Sequence, residues 1–499
     1  IGDNAGTAIT TGDNNVAVGK DALYNNTTAA NNTAVGTNAL GANTTGGNNA
    51  AVGRSALCSN TTAASNTAVG VCALLTTTTC GNNAAFGFCA LKTTSTDSNA
   101  AFGANALRDQ TTGIYNTAVG SAAGLRTTTG TRNVAIGTSA MICNTTGSCN
   151  TAVGGMDNGT LSTMMCNTTG NRNTALGNST LVKNTTADNN TAVGTLALYA
   201  NTTGAKNSAF GVFALENNTT GAENVALGKD SLGANTTGPN NTAVGTNSLR
   251  RNTEGEDNTA VGNLALCTNT TGDHNVAVGL SALHKNTTAD NNVAVGTCAS
   301  GCNTDGHSNV SIGFSALCTN TTGDKNIAIG HQSLLSLATA NEIVAIGYNS
   351  LRALTTGTDN TAVGFEAGKS ITTGDRNTAM GYLALSTMTT VADNTAVGYK
   401  AMTANTSGSN NTAVGKDAML ANTTGANNVA IGQNALETST SGGANTAVGQ
   451  LAAQDLTTGA ENTAIGHEAG NNITTGTNNT LLGHEAGTDA VANVVASNG

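Results

Sequence analysis

The sequence predicts an all-β fold, a parallel β-solenoid of about 29 seventeen-residue coils, on three observations. A core of the type Asn-Thr-Ala-Val-Gly recurs along the chain, and 25 of the 27 spacings between its 28 copies are 17 residues. Each core alternates side chains with a period of two, which is typical of a strand. The glycines and β-branched residues, without any 3.6-residue period, exclude a helix. We therefore expect one continuous repeat array over 1–499.

Two departures interrupt the period. One spacing is 16 residues, between Ala85 and Ala101, and one is 23, between Ala152 and Ala175. We interpret the longer one as a six-residue insertion within 155–166. The end, 484–499, is degenerate, and the chain begins inside a unit, so we expect the sequence to be a piece of a longer polypeptide.

The strand of each unit has two unlike faces. Numbering from the first asparagine gives Asn32 register 1 and Asn48 register 17. Registers 2 and 4 point to one side, and Val35 at register 4 is expected to fill the core together with Leu40. Registers 3 and 5 carry almost only alanine and glycine, so we predict that another backbone approaches them closely. In two consecutive units this close-contact face comprises Ala34, Gly36, Ala51 and Gly53.

The rest of the unit supplies a second segment and a turn. Registers 8 and 9, usually Ala-Leu, predict a second short strand, and registers 12 to 15, typically Asn-Thr-Thr-Gly, predict the turn back. Where register 9 lacks its leucine, register 12 is often apolar, as with Gly368 and Ile371. We infer that registers 9 and 12 fill one core site.

Asparagine occupies two registers. At register 1 a column of amides can hydrogen-bond from coil to coil, and we predict a structural ladder that includes Asn15, Asn32, Asn49, Asn66 and Asn83. At register 12 the asparagine often starts an N-glycosylation sequon. The alternative is an asparagine that caps the turn and points partly inward. The sequon positions are Asn26, Asn43, Asn60, Asn144, Asn167, Asn184, Asn201, Asn218, Asn235, Asn269, Asn286, Asn320, Asn405 and Asn422.

The eleven cysteines show no metal-finger spacing. Equal registers in consecutive coils lie about 4.8 Å apart, within the range that a disulfide spans. Bridges within or between chains are one hypothesis, and free buried thiols are the other. The pairs that share or nearly share a register are Cys72 with Cys89, Cys143 with Cys166, and Cys302 with Cys318. Bridges would indicate an extracellular or virion-surface setting.

The composition limits the classes of binding partner that we expect. A net charge of −10 without a basic run disfavours nucleic acid, and this segment contains no stretch of about 20 apolar residues that would span a membrane. We expect no enzyme, no cofactor and no metal. The pairs His467-Glu468 and His484-Glu485 could bind a divalent ion, but exposed turn residues are the simpler interpretation.

A single coil buries too little apolar surface to offset the loss of backbone entropy. Coils must therefore stack, and the close-contact face invites the same face of other chains. We expect a homo-oligomer, most simply a homotrimeric rod.

The strand core resembles the head repeats of YadA-like trimeric autotransporter adhesins. The motif appears as Asn133-Val134-Ala135-Ile136-Gly137 and again over 292–296. This resemblance implies a left-handed β-roll wound as a trimer, although the unit here is about three residues longer. The longer repeat pattern N-T-A-V-G-x-x-A-L-x-x-N-T-T-G is similar to repeat regions of phage-type tail-fibre and surface-fibre proteins.

Three functions follow from these patterns. The first is a structural fibre, a rigid extracellular, cell-surface or virion-surface shaft without catalysis. The second is an adhesin or receptor-binding rod that contacts host glycans or matrix through registers 6, 7, 10, 11, 16 and 17, where no aromatic clustering is expected. The third is ice binding by the threonine columns at registers 13 and 14.

Overall fold

The computed structural model describes residues 1–155 and 161–488. The chain divides into two compact units, Ile1–Glu256 and Asp257–Gly499. Each unit is a parallel β-solenoid with one three-residue strand per coil, and no residue within the described ranges is helical. The predicted all-β parallel solenoid with 17-residue spacing is confirmed. Residues 156–160 of the insertion and 489–499 of the degenerate end lie outside the described residues.

The strands lie at registers 2 to 4. In the first unit they are β1 (Val16–Val18), β2 (Thr33–Val35), β3 (Ala50–Val52), β4 (Thr67–Val69), β5 (Ala84–Phe86), β6 (Ala100–Phe102), β7 (Thr117–Val119), β8 (Val134–Ile136), β9 (Thr151–Val153), β10 (Thr174–Leu176), β11 (Thr191–Val193), β12 (Ser208–Phe210), β13 (Val225–Leu227) and β14 (Thr242–Val244). In the second unit they are β15 (Thr259–Val261), β16 (Val276–Val278), β17 (Val293–Val295), β18 (Val310–Ile312), β19 (Ile327–Ile329), β20 (Val344–Ile346), β21 (Thr361–Val363), β22 (Thr378–Met380), β23 (Thr395–Val397), β24 (Thr412–Val414), β25 (Val429–Ile431), β26 (Thr446–Val448), β27 (Thr463–Ile465) and β28 (Thr480–Leu482).

Within each unit, consecutive strands pair in parallel and in register, so that Ala34 of β2 lies opposite Ala51 of β3. Hydrogen bonds between coils continue beyond the strands. The Leu40 N–H donates to the carbonyl oxygen of Ala56 at 3.0 Å, and the Thr44 N–H donates to that of Thr61 at 2.8 Å. Backbone ladders therefore run around the coil, and each coil is held on several sides by its neighbours.

The direction of the two strand faces is the reverse of the prediction. Ala34 and Ala51 are completely buried, whereas Val35 is 36% and Val52 39% exposed. Leu40 is also fully buried and reaches the interior from the other side of the coil. The coil is narrow, because Ala34, Ala39, Leu40 and Asn43 together fill its interior, and the larger side chain at register 4 must point outward.

The close contact at registers 3 and 5 occurs inside one chain. Gly36 has a φ of 138°, and a Cβ placed there would lie 2.5 Å from the carbonyl oxygen of Gly53 in the next coil. Only glycine fits such an approach. The expectation that Ala34, Gly36, Ala51 and Gly53 form the surface at which chains meet is therefore wrong, because these residues stack successive coils of the same chain.

The second predicted strand is also wrong. Leu40 has a φ of 49° and belongs to a turn, a left-handed conformation that an extended strand excludes. The predicted exchange between registers 9 and 12 is confirmed. Ile371 is completely buried, and its Cδ1 lies 3.0 Å from the place where a Cβ of Gly368 would be.

The register 1 asparagines connect coils as predicted, but mainly through the backbone. The Asn49 N–H donates to Asn32 Oδ1 at 2.9 Å, and the Asn66 N–H donates to Asn49 Oδ1 at 2.9 Å. Asn49 Nδ2 donates to the carbonyl oxygen of Ala63 at register 15 of its own coil, at 2.8 Å. The same backbone-to-side-chain bond links Asn15 to Asn32 and Asn66 to Asn83. Asn15, Asn49, Asn66 and Asn83 thus join the turn of their own coil to the neighbouring coil, whereas the Asn32 side chain contributes only the bond that its Oδ1 accepts.

At register 12 the bonds between coils run from amide to amide, which at register 1 occurs only in some coils, for example from Asn462 Nδ2 to Asn445 Oδ1 at 3.0 Å. Asn43 Nδ2 donates to Asn26 Oδ1 at 2.8 Å and to the carbonyl oxygen of Gly46 at 2.9 Å, and Asn60 Nδ2 donates to Asn43 Oδ1 at 2.7 Å. Apolar residues replace this amide in four consecutive coils, at Leu337, Leu354, Ile371 and Met388, all buried. Because these apolar residues occupy consecutive coils, no single buried amide is left between them without an amide partner.

The insertion leaves these columns intact on both sides. The Asn173 N–H donates to Asn150 Oδ1 at 2.9 Å, and Asn167 Nδ2 donates to Asn144 Oδ1 at 2.8 Å, each across a separation of 23 residues. The stack therefore continues in register from β9 to β10, with Ala152 opposite Ala175.

Candidate functional site: an outer apolar face and an aromatic column

Because the strands direct their register 4 side chains outward, apolar residues lie on the surface of the solenoid. We call the side chains at registers 2 and 4 the outer face. At register 4 this face carries valine, isoleucine, leucine, phenylalanine or methionine in every coil, and most of these side chains are more than one third exposed. The rings of Phe86 and Phe102 at this register stack with their centroids 4.8 Å apart. The outer face is thus an in-register column of apolar side chains at register 4, beside a column at register 2 in which threonine is the most frequent residue.

A column of aromatic rings borders the outer face in the second unit. It consists of the register 6 residues of six consecutive coils, and we call it the aromatic column: Phe314, His331, Tyr348, Phe365, Tyr382 and Tyr399. Neighbouring centroids are 5.1–5.3 Å apart. The expectation of no aromatic clustering in the variable registers is wrong, because residues 17 apart in sequence become neighbours in the stack.

The column ends beside a cation. The Lys400 ammonium lies 5.3 Å from the centroid of the Tyr399 ring, a distance at which the ring quadrupole attracts a positive charge. A further ring at register 6, Phe88, lies in the first unit and is 56% exposed. The adjacent coils carry Val71 and Ala104 at this register, so Phe88 is a single ring that offers a comparison with the aromatic column.

The sequon asparagines lie inside the coils. Asn43 and Asn218 are completely buried, and Asn218 Nδ2 donates to Asn201 Oδ1 at 2.8 Å and to the carbonyl oxygen of Gly221 at 2.9 Å. An N-linked glycan would be attached to this nitrogen. Burial is incompatible with a glycan on the folded chain at Asn26, Asn43, Asn60, Asn144, Asn167, Asn184, Asn201, Asn218, Asn235, Asn269, Asn286, Asn320, Asn405 and Asn422, all of which are 0% exposed.

All eleven cysteines are free thiols in this structure. The members of the predicted pairs are near one another. Burial raises the pKa of the Cys89 thiol, and the neighbouring Cys72 raises it further. The pKa values of Cys166 and Cys318 are raised in the same way, first by burial and then by Cys143 and Cys302, respectively. Bridging of these pairs stays a prediction.

The histidines near the end of the repeat form a stack. The rings of His467 and His484 have centroids 5.1 Å apart, and each imidazole lies beside the glutamate that follows it, at 3.8 Å for Glu468 and 3.5 Å for Glu485. Within residues 1–155 and 161–488, no three histidine, cysteine or acidic side chains are placed to hold a metal ion together.

The threonines at register 13 are bound to the backbone. Thr44 Oγ1 donates to the carbonyl oxygen of Thr61 at 3.0 Å, and the same bond recurs between Thr219 and Thr236 at 3.0 Å. These hydroxyl protons are used within the stack, and of the two threonine columns register 14 is the more exposed.

The chain matches no protein-family model and no curated protein sequence. A search of the described residues for helices finds none that is long and apolar enough to cross a membrane. The geometry of the outer face and of the aromatic column is therefore the basis for a functional conclusion.

Proposed function

We propose that the chain is a structural fibre protein, a rigid shaft on a cell or virion surface that acts without catalysis. We further propose that copies associate through the outer face into a homo-oligomer. The left-handed winding and the number of three chains rest on the resemblance of the strand core to YadA-like heads.

The observation that carries this proposal is the exposure of register 4. Apolar side chains such as Val35, Val52 and Val69 are 36–39% exposed in consecutive coils. From the apolar area of such side chains and their exposed fractions, we estimate that the register 4 column exposes on the order of 500 Å² in each unit. This column alone matches the largest apolar patch of a typical monomer. Such a surface is typical of an interaction site.

A second copy of the same chain complements this surface best. Strands repeat along the stack at about 4.8 Å, so the columns of one copy present valleys at the spacing of the ridges of another. A partner with a different period would lose this match after a few coils. The register 4 columns of the two units together, about 1,000 Å² by this estimate, would exceed the roughly 800 Å² per partner of a standard interface.

The test is the mass of the particle in solution. We expect the wild-type chain to sediment as an oligomer, and the variant Val35→Lys/Val52→Lys/Val69→Lys to lose mass because three charges would be buried at the interface. The matched control is Thr45→Lys/Thr62→Lys/Thr79→Lys, with the same charges at the exposed register 14 of the same coils. Circular dichroism verifies that both variants fold. A wild-type protein with the mass of one chain, or an unchanged mass for the valine variant, would refute the proposal.

The other two functions have unequal support. The aromatic column favours an adhesin or receptor-binding rod as the second candidate, because glycan-binding surfaces commonly use aromatic rings. Ice binding has less support, because the hydroxyl groups of register 13 donate to backbone carbonyl oxygens and are not free. A thermal hysteresis measurement tests it directly.

A further inference from the structure

The aromatic column differs from the outer face in extent and in chemistry. The outer face recurs in every coil, whereas the aromatic column occupies six coils. Its rings are also amphipathic, since three of them carry a tyrosine hydroxyl and His331 carries ring nitrogens. A surface used only for self-association needs neither the restriction to six coils nor the polar edges.

The spacing of the rings leaves part of each face accessible. Stacked rings in van der Waals contact are separated by about 3.5 Å between planes, but the centroids here are 5.1–5.3 Å apart with interplanar angles of 8–18°. The rings must therefore be offset and inclined to the stack. The five phenylalanine and tyrosine residues are accordingly 42–49% exposed. The result is a row of slanted apolar faces at a constant interval.

The area of the column suits a chain-like ligand. Aromatic side chains of 150–250 Å² exposed by almost half give roughly 500 Å² for the six rings. A stable protein interface needs about 800 Å² per partner, so the column alone is small for a second copy of the chain. It is large enough for several sugar rings in an extended row.

We propose that the aromatic column binds an extended β-1,4-linked polysaccharide, with one sugar ring for each coil. The pyranose rings of such a chain advance by nearly the same interval as the aromatic rings, so that the match persists over all six coils. The apolar C–H faces of the sugars would pack on the slanted rings. The hydroxyls of Tyr348, Tyr382 and Tyr399 would exchange hydrogen bonds with the sugar hydroxyls.

The experiment compares ligands of different linkage and variants of different registers. Cellohexaose and chitohexaose are the soluble probes, maltohexaose is the α-linked control, and calorimetry with the full chain measures binding. We expect the β-linked probes to bind more tightly than maltohexaose by at least tenfold. The variant Tyr348→Ala/Phe365→Ala/Tyr382→Ala should weaken binding by at least tenfold, whereas Phe88→Ala, at the same register in the first unit, should leave it unchanged.

Conservative variants separate the two parts of the interaction. Tyr348→Phe/Tyr382→Phe should retain most of the binding, because the ring faces remain, and lose only a few-fold in affinity. No binding of either β-linked probe to the wild-type chain would overturn the proposal, as would equal binding of maltohexaose. A triple alanine variant that binds normally but changes its oligomeric mass would instead identify the column as a contact between copies. Mass and binding are measured separately, so the proposed association through registers 2 and 4 can fail without affecting this test.

Discussion

Replacing Asn218 by alanine should weaken the stack of coils around it. Asn218 is completely buried in the register 12 ladder. Its Oδ1 accepts from Asn235 Nδ2 at 2.8 Å, and its Nδ2 donates to Asn201 Oδ1 at 2.8 Å. Alanine removes both of these bonds, together with the bond from Asn218 Nδ2 to the carbonyl oxygen of Gly221, and leaves the two neighbouring amides with buried, unpaired atoms.

The expected loss of stability depends on the hydrogen bonds that remain after the substitution. The carbonyl oxygen of Gly221 still accepts from Asn207 Nδ2 at 2.9 Å, and Asn235 Nδ2 still donates to that of Gly238 at 2.9 Å. Two hydrogen-bonding positions are therefore lost, one on Asn201 and one on Asn235. At about 1–3 kcal/mol for each buried group left unpaired, the local free energy of opening should fall by about 2–6 kcal/mol.

Native-state hydrogen exchange measures this loss at the affected coils, since the cooperativity of a long repeat array can break down in global unfolding. The informative amides are Thr219 and Val225, whose N–H groups donate to the next coil at 2.9 Å and 2.8 Å. Their exchange should accelerate roughly 30- to 20,000-fold, as 1.4 kcal/mol corresponds to a factor of ten. The control is Thr220→Ala, at an exposed position two residues away. Equal exchange rates in the two variants would refute the ladder as a source of stability.

Three further predictions concern the turn, the sequons and the thiols. Gly36→Ala should destabilise its coil by about 2–4 kcal/mol, because the new methyl group meets the next backbone at a φ that L-residues avoid; a thermal melt unchanged from wild type would contradict this. Chain secreted from a glycosylating host should show no hexose increments at Asn43 in its intact mass, since that amide is buried, and a modified, folded Asn43 would disprove the argument. At pH 8 iodoacetamide should modify the exposed Cys149 before Cys89, because the raised pKa of Cys89 lowers its thiolate fraction; mass spectrometry of timed digests shows the order.

Several features could be read from the sequence because they depend on the period alone. Identical residues 17 apart can only be neighbours in a parallel, in-register stack, and this predicts both the paired strands and the column through Asn32, Asn49 and Asn66. The aromatic column also had a sequence signal. The residues from Phe314 to Tyr399 recur every 17 positions, but an aromatic content of 3% over the chain conceals six rings that share one register.

The burial of register 12 was only partly visible in the sequence. The exchange of Gly368 with Ile371 indicates an inward direction, but a sequon reads the same whether its asparagine is buried or exposed. The hydrogen bonds from Asn43 to Asn26 and Gly46 decide between these possibilities. They exist only because equivalent turns of successive coils lie in contact.

The sequence by itself determined the coil: its length, its strand, its turn and the parallel stacking of its copies. It did not determine which side of the strand lies inside, because alternation defines two faces without assigning either to the core. The tertiary structure decided this through the width of the coil. Leu40, in a left-handed turn, occupies the interior from the opposite side, and the space that remains admits the methyl group of Ala34 but excludes the larger Val35. The apolar columns consequently lie on the surface, where they are available to bind.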